Sequence, residues 1–555
     1  MFAKFIPISF ALAVSLLFAG TLQANLLDPE SGRPIIRDFR PTDYLGHPQI
    51  FSITQGSDGF IYMANVQGIV QYDGIRWKHH VAPLTFTYGV TATPDGRIWT
   101  SSYEDIGYFE PKSGSSELVY HSLSERLPPT VQDIGRGEKS VYYRGSVYYV
   151  IGDGLVRFDE IETKLWPSSS AGPKGELSVV DDQLFWIRNG NELVRVDGDN
   201  LEVIAQDDTL LTGRRVRGVA RENDTPLWII GERGVFEIDP DSHSFHRVTG
   251  TLDTWVRETR VNAAVNLGDG SIAVATSLRG LLISSLDGTV VRKIDRETGL
   301  ADNAVLSLFV DHDQGLWAGL NSGAVRINYR SAVTVFDSTN GPTPGTIDGW
   351  FRHQGRVYAG AFDGLYRLEP ADPISGAGAR FKRIVDNLTN VFAFATIDGE
   401  LIFSSSQGLH RLNADDTHSI FVELSHNPPK IMFPSRRHPA RYYLSGQDGL
   451  SVLEKIDSRW KIVAEFLDKG QAFTALEEDN GDVWFASYST GFWRIPDGAN
   501  ITEWTGVEPE NYFRSHGLPP SMTWTTVTPG TAGSIFFTDA GGMKFNRTNK
   551  QFEPD

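Results

Sequence analysis

Cysteine is absent from this 555-residue chain, and methionine is scarce, with 5 residues. The lack of cysteine excludes disulfides, thiolate zinc sites, cysteine-bound iron–sulfur clusters and thiol nucleophiles. Positive charge is also in deficit, since 51 Lys and Arg face 69 Asp and Glu, for a formal net charge of −18. Nucleic-acid binding needs clustered Lys and Arg, so this balance argues against a nucleic-acid partner.

Long apolar runs are missing except at the N-terminus. Residues 5–20 are almost entirely apolar, they follow the positive charge of Lys4, and Ala24 is a small residue at a cleavage position. This arrangement is typical of a secretory signal peptide, which we place at residues 1–24. An uncleaved membrane anchor is the alternative, although the run is somewhat short for one. An exported chain without cysteine fits a Gram-negative periplasm.

Internal repeats organise the rest of the chain. Each repeat has an apolar run, an Asp/Asn-Gly-type turn, a run with an aromatic residue, a second turn with glycine, and a further run, which predicts two successive β-hairpins. Clear copies are residues 49–74, 305–327 and 473–495. The aromatic residues are expected to fill the core between neighbouring sheets. The second-turn glycines are Gly68, Gly107, Gly154, Gly190, Gly234, Gly280, Gly323, Gly364, Gly408, Gly449, Gly491 and Gly541.

The spacing of these glycines predicts the architecture. They recur about every 43 residues, and a period of ~40–45 residues with about four short strands is that of a β-propeller blade. We therefore expect an all-β fold of tandem β-propellers with about 12 four-stranded blades. A Gly-, Pro- and Thr-rich connector at 338–346 favours a first propeller at 25–335 and a second at 336–555. By count alone, seven plus five and six plus six blades fit equally well.

Segment 35–39 precedes the first repeat and is the candidate for an outer strand that closes the first ring. Closure of this kind removes exposed sheet edges.

The repeat resembles the two-component regulator propeller repeat. The similarity is clearest in residues 33–44, in residues 72–77 and in the Gly-Leu-Ala-Asp-Asn entry at 299–303. That family forms the extracytoplasmic sensor region of hybrid sensor kinases, diguanylate cyclases and some one-component regulators. Members usually carry two seven-bladed propellers, a small β-sandwich, a membrane helix and a cytoplasmic output domain.

The resemblance favours seven plus five blades, and it leaves the second ring incomplete unless blades are supplied otherwise. The chain stops at Asp555 without a sandwich, a second hydrophobic span or a kinase or cyclase motif. We therefore expect either a missing C-terminal continuation or a free-standing sensor that signals to a membrane-bound kinase, cyclase or regulator.

Catalytic motifs are not found in the sequence. The 13 His residues are scattered, and neither a metal-binding His-Glu motif nor a G-x-S-x-G nucleophile elbow occurs. Carboxylate pairs lie at turns, where a solvated turn is the simpler interpretation. We assign no catalytic residue, no metal and no cofactor.

The candidate ligand-binding residues lie on one rim of the predicted discs. The loop before each inner strand and the loop before each second-turn glycine share that rim, where propellers usually gather ligand contacts. Large aromatic, Arg and carboxylate side chains there suit a small molecule such as a sugar, an oligosaccharide or an anionic metabolite. Each residue taken alone also fits an ordinary exposed loop position. The candidates are Tyr88, Tyr103, Glu104, Arg233, Arg279, Trp350, Tyr488 and Trp524.

Function is then predicted as a periplasmic sensor module that binds a ligand without chemistry. Ligand would favour one arrangement of propellers or subunits over another, so a homodimer is left open. The alternatives are a carbohydrate-active or lyase-type enzyme on the same scaffold and a secreted protein-binding scaffold, because propellers host all three. Few rim positions carry His or Glu, which favours the sensor.

Overall fold

The computed structural model describes residues 29–555, apart from gaps at 113–116, 132, 136, 138, 160–161, 169–174, 190–191, 207–215, 221–226, 232, 240–241, 287, 289, 343–345, 373–376, 426, 488, 521, 523 and 532. The predicted signal peptide, residues 1–24, lies outside the described residues. The described chain forms two compact units, one of residues up to Thr339 with Pro370–Ala379, the other of Asn340–Glu369 with Arg380–Asp555. Its α-helices are α1 (Pro41–Tyr44) and α2 (Thr251–Arg257), and 3₁₀ turns cover Ser124–Arg126, Gly498–Asn500 and Arg514–His516.

The first unit contains seven four-stranded antiparallel blades among its described residues. Two of them are joined in one six-stranded sheet, because its second and third strands are long and each changes partner part-way. The strands of this unit are β1 (Ile35–Phe39), β2 (Ser52–Gln55), β3 (Ile61–Tyr72), β4 (Trp77–Ala92), β5 (Ile98–Ser102), β6 (Asp105–Pro111), β7 (Leu118–Ser122), β8 (Lys139–Tyr143), β9 (Ser146–Ile151), β10 (Gly154–Phe158), β11 (Thr163–Pro167), β12 (Leu177–Val180), β13 (Gln183–Arg188), β14 (Glu192–Asp197), β15 (Asn200–Gln206), β16 (Val216–Ala220), β17 (Leu227–Gly231), β18 (Gly234–Asp239), β19 (Ser244–Arg247), β20 (Val261–Asn266), β21 (Ser271–Thr276), β22 (Leu281–Ser285), β23 (Val290–Ile294), β24 (Val305–Val310), β25 (Leu316–Leu320) and β26 (Gly323–Asn328).

These seven blades form a closed ring. The inner strands β2, β4, β8, β12, β16, β20 and β24 contact one another in this order, and β24 contacts β2. The seventh blade takes its outer strand from the other end of the chain, because β1 pairs antiparallel with β26 from Ile35 opposite Asn328 to Phe39 opposite Ala324. This is the closing strand expected at 35–39. The Ser307 hydroxyl also donates to the Ile50 carbonyl (3.3 Å), which joins the seventh blade to the first.

The second unit contains five four-stranded antiparallel sheets, so the described chain divides into seven plus five. Its inner strands β27, β31, β35, β39 and β43 contact one another in sequence. Within the described part of this unit, no comparable contact joins β43 back to β27. The strands are β27 (Ile347–His353), β28 (Arg356–Ala361), β29 (Gly364–Glu369), β30 (Arg380–Val385), β31 (Phe394–Ile397), β32 (Glu400–Ser405), β33 (Gly408–Leu412), β34 (His418–Val422), β35 (Pro429–Pro434), β36 (Arg441–Gly446), β37 (Leu450–Ile456), β38 (Arg459–Phe466), β39 (Ala472–Glu477), β40 (Val483–Ser487), β41 (Gly491–Ile495), β42 (Glu510–Tyr512), β43 (Thr525–Gly530), β44 (Gly533–Thr538), β45 (Gly541–Asn546) and β46 (Gln551–Pro554).

The repeated aromatic residue of each blade fills the core, as the sequence predicts. Those at positions 62, 99, 228, 317, 358, 403 and 484 are all buried. Two of the buried indoles bond to the preceding turn: the Trp317 indole donates to Asp311 (2.8 Å) and the Trp484 indole donates to Glu478 (2.7 Å). A buried indole N–H without an acceptor would be costly, so the acidic turn residue and the aromatic residue act as a pair.

The second-turn glycines are needed for their backbone conformation. Ten of the twelve have φ between 73° and 148°, a region that side chains with a Cβ rarely adopt. At Gly154 an added Cβ would also lie 2.1 Å from the Trp166 carbonyl oxygen. The assignment of Gly107 was wrong: it lies inside β6, and in that blade Glu104 takes the positive φ, at 60°. Gly190 lies outside the described residues.

Candidate functional site

A cleft of about 260 Å³ opens in the first unit at the rim of its sixth blade. It involves the helix before that blade, the loop between β21 and β22, and the connector from β23 to β24. The loop between β21 and β22 and the connector from β23 to β24 both belong to the rim that the sequence predicts for ligand contacts. The lining residues are Trp255, Leu278, Arg279, Lys293, Asp295, Glu297 and Asn303.

Helix α2 places Trp255 in the cleft. Leu252 and Val256 lie four residues apart on one face of the helix, and both are buried in a cluster with Val235. The carboxylate of Asp253, 3% exposed, accepts the Val235 amide (3.0 Å) and the Arg257 guanidinium (3.0 Å). Trp255 is partly buried against the same cluster, so its indole is held at the wall of the cleft.

The loop between β21 and β22 places Arg279. The Thr276 hydroxyl accepts the Arg279 amide (3.0 Å) and donates to the Gly280 carbonyl (2.8 Å). The Arg279 guanidinium then donates to Glu258 at 3.1 Å, with the two side chains 47% and 57% exposed. An ion pair this exposed stabilises the fold by at most about 1 kcal/mol, so Arg279 can exchange this partner for a ligand at little cost.

Lys293, near the end of β23, and Asp295, directly after that strand, form a more buried ion pair in the cleft. Their charged atoms lie 2.6 Å apart, and Asp295 also accepts the Thr298 amide (3.0 Å). Burial opposes ionisation of Asp295, but the bonds from Lys293 and Thr298 outweigh it and lower its pKa. Asp295 is therefore a carboxylate at neutral pH. Its lowered pKa is the opposite of what a general acid needs.

The remaining polar atoms can bind a hydroxylated ligand. Arg279 and Lys293 keep N–H groups beyond those used in their ion pairs. The Asn303 oxygen accepts the Arg296 amide (2.8 Å), which leaves the NH₂ group of Asn303 to donate. Glu297 is exposed and supplies acceptors. A partly buried indole beside convergent donors and acceptors is an arrangement that binds small polar molecules.

Of the predicted site residues, Arg279 alone lines this cleft. Tyr88 lies within β4, not in the loop before an inner strand, and Tyr103 and Glu104 form the turn between β5 and β6, so all three belong to the second blade. There the Tyr88 ring stacks on Phe86 with centroids 6.0 Å apart, and the Tyr103 amide donates to the Phe86 carbonyl (3.0 Å). Tyr103 is 52% exposed. These residues form a separate aromatic surface on the rim.

The other predicted site residues are spread over both units. Arg233 is exposed in the turn before β18. Trp350 is 53% exposed but lies within β27, not in the loop before it, and packs edge-on against Phe381 (5.2 Å). Trp524 is 54% exposed and directly precedes β43. Tyr488 lies outside the described residues.

Sequence reasoning missed Trp255, Lys293 and Glu297. The signal for Trp255 was present, since Leu252, Val256 and Asp253 have helical spacing after Gly250, but a helix was not expected in a chain of β-repeats. Lys293 and Glu297 carry no pattern that separates them from other surface residues.

Within the described residues, neither a metal-binding cluster nor a membrane-spanning helix is found. No group of three or more His, Asp or Glu side chains there converges to hold a metal ion. The helices found in the same residues are too short and too polar to span a membrane.

Comparison with known proteins gives structural matches only. No family model matches the chain, and no curated protein does. The extracellular domain assigned to a hybrid two-component system of B. thetaiotaomicron is 14% identical, with 94% of this chain and 78% of that chain covered and a TM-score of 0.58. A second such domain from B. thetaiotaomicron is 14% identical, with 94% and 73% covered and a TM-score of 0.43.

Virginiamycin B lyase from Staphylococcus aureus is 13% identical, with 53% of this chain and 98% of that chain covered and a TM-score of 0.37. The likeness with a TM-score of 0.58, together with the ring of four-stranded blades, shows the fold: the chain is a β-propeller protein. The B. thetaiotaomicron domain with that TM-score is assigned to a hybrid two-component system, the kind of protein whose propeller repeat the sequence resembles.

Proposed function

We propose that the chain is a ligand-binding sensor module of a signal-transduction system, that it has no catalytic activity, and that it works in the periplasm. Its ligand is a small saccharide, which binds in the cleft of Trp255 and Arg279. Occupancy is passed to a membrane-bound kinase, cyclase or regulator.

The observation that carries this proposal is the chemistry of the cleft. A sugar ring offers an apolar face to an indole and hydroxyl groups to charged side chains, and the cleft presents Trp255 beside Arg279 and Lys293. Asp295 is held as a carboxylate by Lys293, so it does not supply the proton that glycoside cleavage requires. Binding without turnover is therefore the role these residues support.

The position of the cleft supports a signalling role. Its walls come from helix α2, from the loop of the sixth blade and from the connector to the seventh, so one ligand would touch three successive pieces of the ring. A ligand that fits one arrangement of these pieces better than another shifts their equilibrium by the difference in affinity. The chain shares its fold with an extracellular domain assigned to a hybrid two-component system, which also supports a signalling role.

The test is a calorimetric titration of the purified protein with a saccharide panel, followed by variants for the best binder. Trp255→Ala and Arg279→Ala should each weaken binding by about 5-fold or more, since an aromatic or Arg anchor buried by the ligand commonly contributes over 1 kcal/mol. Phe362→Ala and Arg436→Ala are matched controls, because both residues are exposed and lie in the second unit, and neither lines the cleft. Their affinity should equal that of the wild type.

Two results would contradict the proposal. One is the absence of binding for the whole panel. The other is a product released from any bound saccharide, which would make the chain an enzyme. The other seven residues predicted as ligand contacts stay predictions. Each can be tested by substituting the residue and titrating the variant with the same saccharide panel.

A further inference from the structure

The turn that lines the cleft also contacts the N-terminal segment of the first unit. Asp295 and Glu297 line the cleft, and Gly299 lies two residues further along the same turn, with a φ of 102°. The Arg33 side chain packs on Gly299, because a Cβ added to this glycine would lie 2.1 Å from the Arg33 Nη1 atom. The cleft and the contact with Arg33 therefore share one short turn.

Hydrogen bonds and packing hold this turn in its conformation. The Asp295 carbonyl accepts the Leu300 amide (2.7 Å), and the Asp295 carboxylate accepts the Thr298 amide (3.0 Å). Leu300 is 3% exposed and packs in a core cluster with side chains of the seventh blade. The Asn303 side chain, which lines the cleft, accepts the Arg296 amide (2.8 Å). A ligand bound in the cleft would therefore favour the ordered turn, and this is the conformation that the Arg33 side chain contacts.

Arg33 is also bound to the segment by which the chain leaves the first unit, residues 333–339, which we call the exit segment. The Arg33 amide donates to the Val335 carbonyl (3.0 Å), and the Val335 amide donates to the Arg33 carbonyl (2.9 Å). The Arg33 guanidinium forms an ion pair with Asp337. Apart from the bridge at Val335, the exit segment contains no strand or helix. A partly exposed segment of this kind opens locally at a low free energy.

We propose that Arg33 couples the cleft to the exit segment, so that a saccharide bound in the cleft holds the exit segment more firmly. This inference rests on the proposed function, because the ligand is that of the same cleft. The exit segment is either bound to Arg33 or released from it. Arg33 packs on Gly299 only while the turn is ordered, so a ligand that orders the turn favours the bound state. Occupancy of the cleft would thus change the order of the chain that links the two units.

The experiment is hydrogen–deuterium exchange with and without the best saccharide of the panel. In the wild type, a saturating saccharide should slow the exchange of residues 333–339 by about 5-fold or more, the lower end of typical couplings between sites. Arg33→Met removes the ion pair and keeps an unbranched side chain in place. Asp337→Ala removes the same ion pair from its other end and leaves the contact of Arg33 with Gly299. Both variants should still bind the saccharide, but its protection of the exit segment should be lost.

The same coupling should appear in the affinity, because linkage between two sites is reciprocal. Arg33 and Asp337 do not line the cleft, yet both variants should bind the saccharide about 5-fold more weakly or less tightly still. Arg40→Met is the matched control, because Arg40 is exposed in the same N-terminal segment and its amide donates to Asp43 (2.7 Å). This control should change neither the affinity nor the protection. Melting curves of the three variants check that the fold is intact.

The outcomes separate this inference from the proposed function. A saccharide that binds the wild type without slowing exchange at residues 333–339 overturns the inference and leaves the proposed function standing. Protection that both Arg33→Met and Asp337→Ala retain, or an affinity that neither variant lowers, has the same consequence. Binding of no saccharide in the panel overturns both proposals.

Discussion

The closing strand β1 gives the most specific prediction about the fold, and Phe39 is the residue that tests it. Phe39 is 5% exposed. Its ring stacks on Trp317 of the seventh blade (5.2 Å, 10°) and contacts Tyr72 of the first blade (5.2 Å). Phe39→Ala therefore removes packing at the seam of the ring. A buried Phe→Ala change costs about 3–5 kcal/mol, part of it from these ring pairs.

The assay is hydrogen–deuterium exchange read by mass spectrometry. A loss of about 3–5 kcal/mol corresponds to exchange that is roughly 100- to 3,000-fold faster, at 1.4 kcal/mol for each factor of ten. The increase should appear in peptides of residues 35–39 and 323–328, because these two strands pair. Phe492→Ala is the control, since Phe492 is fully buried in the second unit; it should speed exchange there and leave the seam unchanged. Unchanged exchange at 323–328 in Phe39→Ala would refute the closing role of β1.

Two further predictions concern buried charges. The Asp311 carboxylate accepts hydrogen bonds from the Trp317 indole (2.8 Å) and the Arg326 guanidinium (2.6 Å). Burial opposes ionisation of Asp311, yet these bonds lower its pKa below the ordinary 3.8. The contribution of ionised Asp311 to the stability of the fold is therefore complete above about pH 4 and is lost as the pH falls through the lowered pKa. Melting temperatures between pH 7 and pH 2.5 should therefore fall less steeply for Asp311→Asn than for wild type, and parallel curves would contradict this. The Arg441 side chain is 3% exposed, forms an ion pair with Glu454 and donates to the Ala499 carbonyl (2.9 Å). Arg441→Met should lower the free energy of unfolding of the second unit by about 3–5 kcal/mol in urea unfolding. Arg436 is exposed, so the control Arg436→Met should change that free energy by less than about 1 kcal/mol.

The sequence was sufficient for the architecture because a repeated constraint appears many times. Glycine is needed wherever the second turn takes a positive φ, and ten of the twelve positions have one. The closing strand could also be predicted, because a ring of blades leaves one outer position for the segment before the first repeat. Gly107 was misassigned for a local reason: in that blade Glu104 adopts the positive φ at 60°, so no glycine marks the turn.

The cleft could be predicted only in part. Arg279 precedes a second-turn glycine, so the repeat itself marks it as a rim residue. Trp255 lies in a helix inserted between two blades, and a repeat pattern contains no information about an insertion. The sequence also does not show which carboxylate pairs with Arg279, because the distance between Glu258 and Arg279 depends on how α2 packs. The pairing of charges around the cleft therefore required the structure.

The most direct measurement is the location of the bound saccharide by differential hydrogen–deuterium exchange. The chain is saturated with the best binder from the panel, and protection is compared with the free protein. We predict protection in residues 251–258, 276–280 and 293–303, which form the walls of the cleft. Protection confined to residues 86–104, or to the second unit, would place the ligand elsewhere and contradict the assignment.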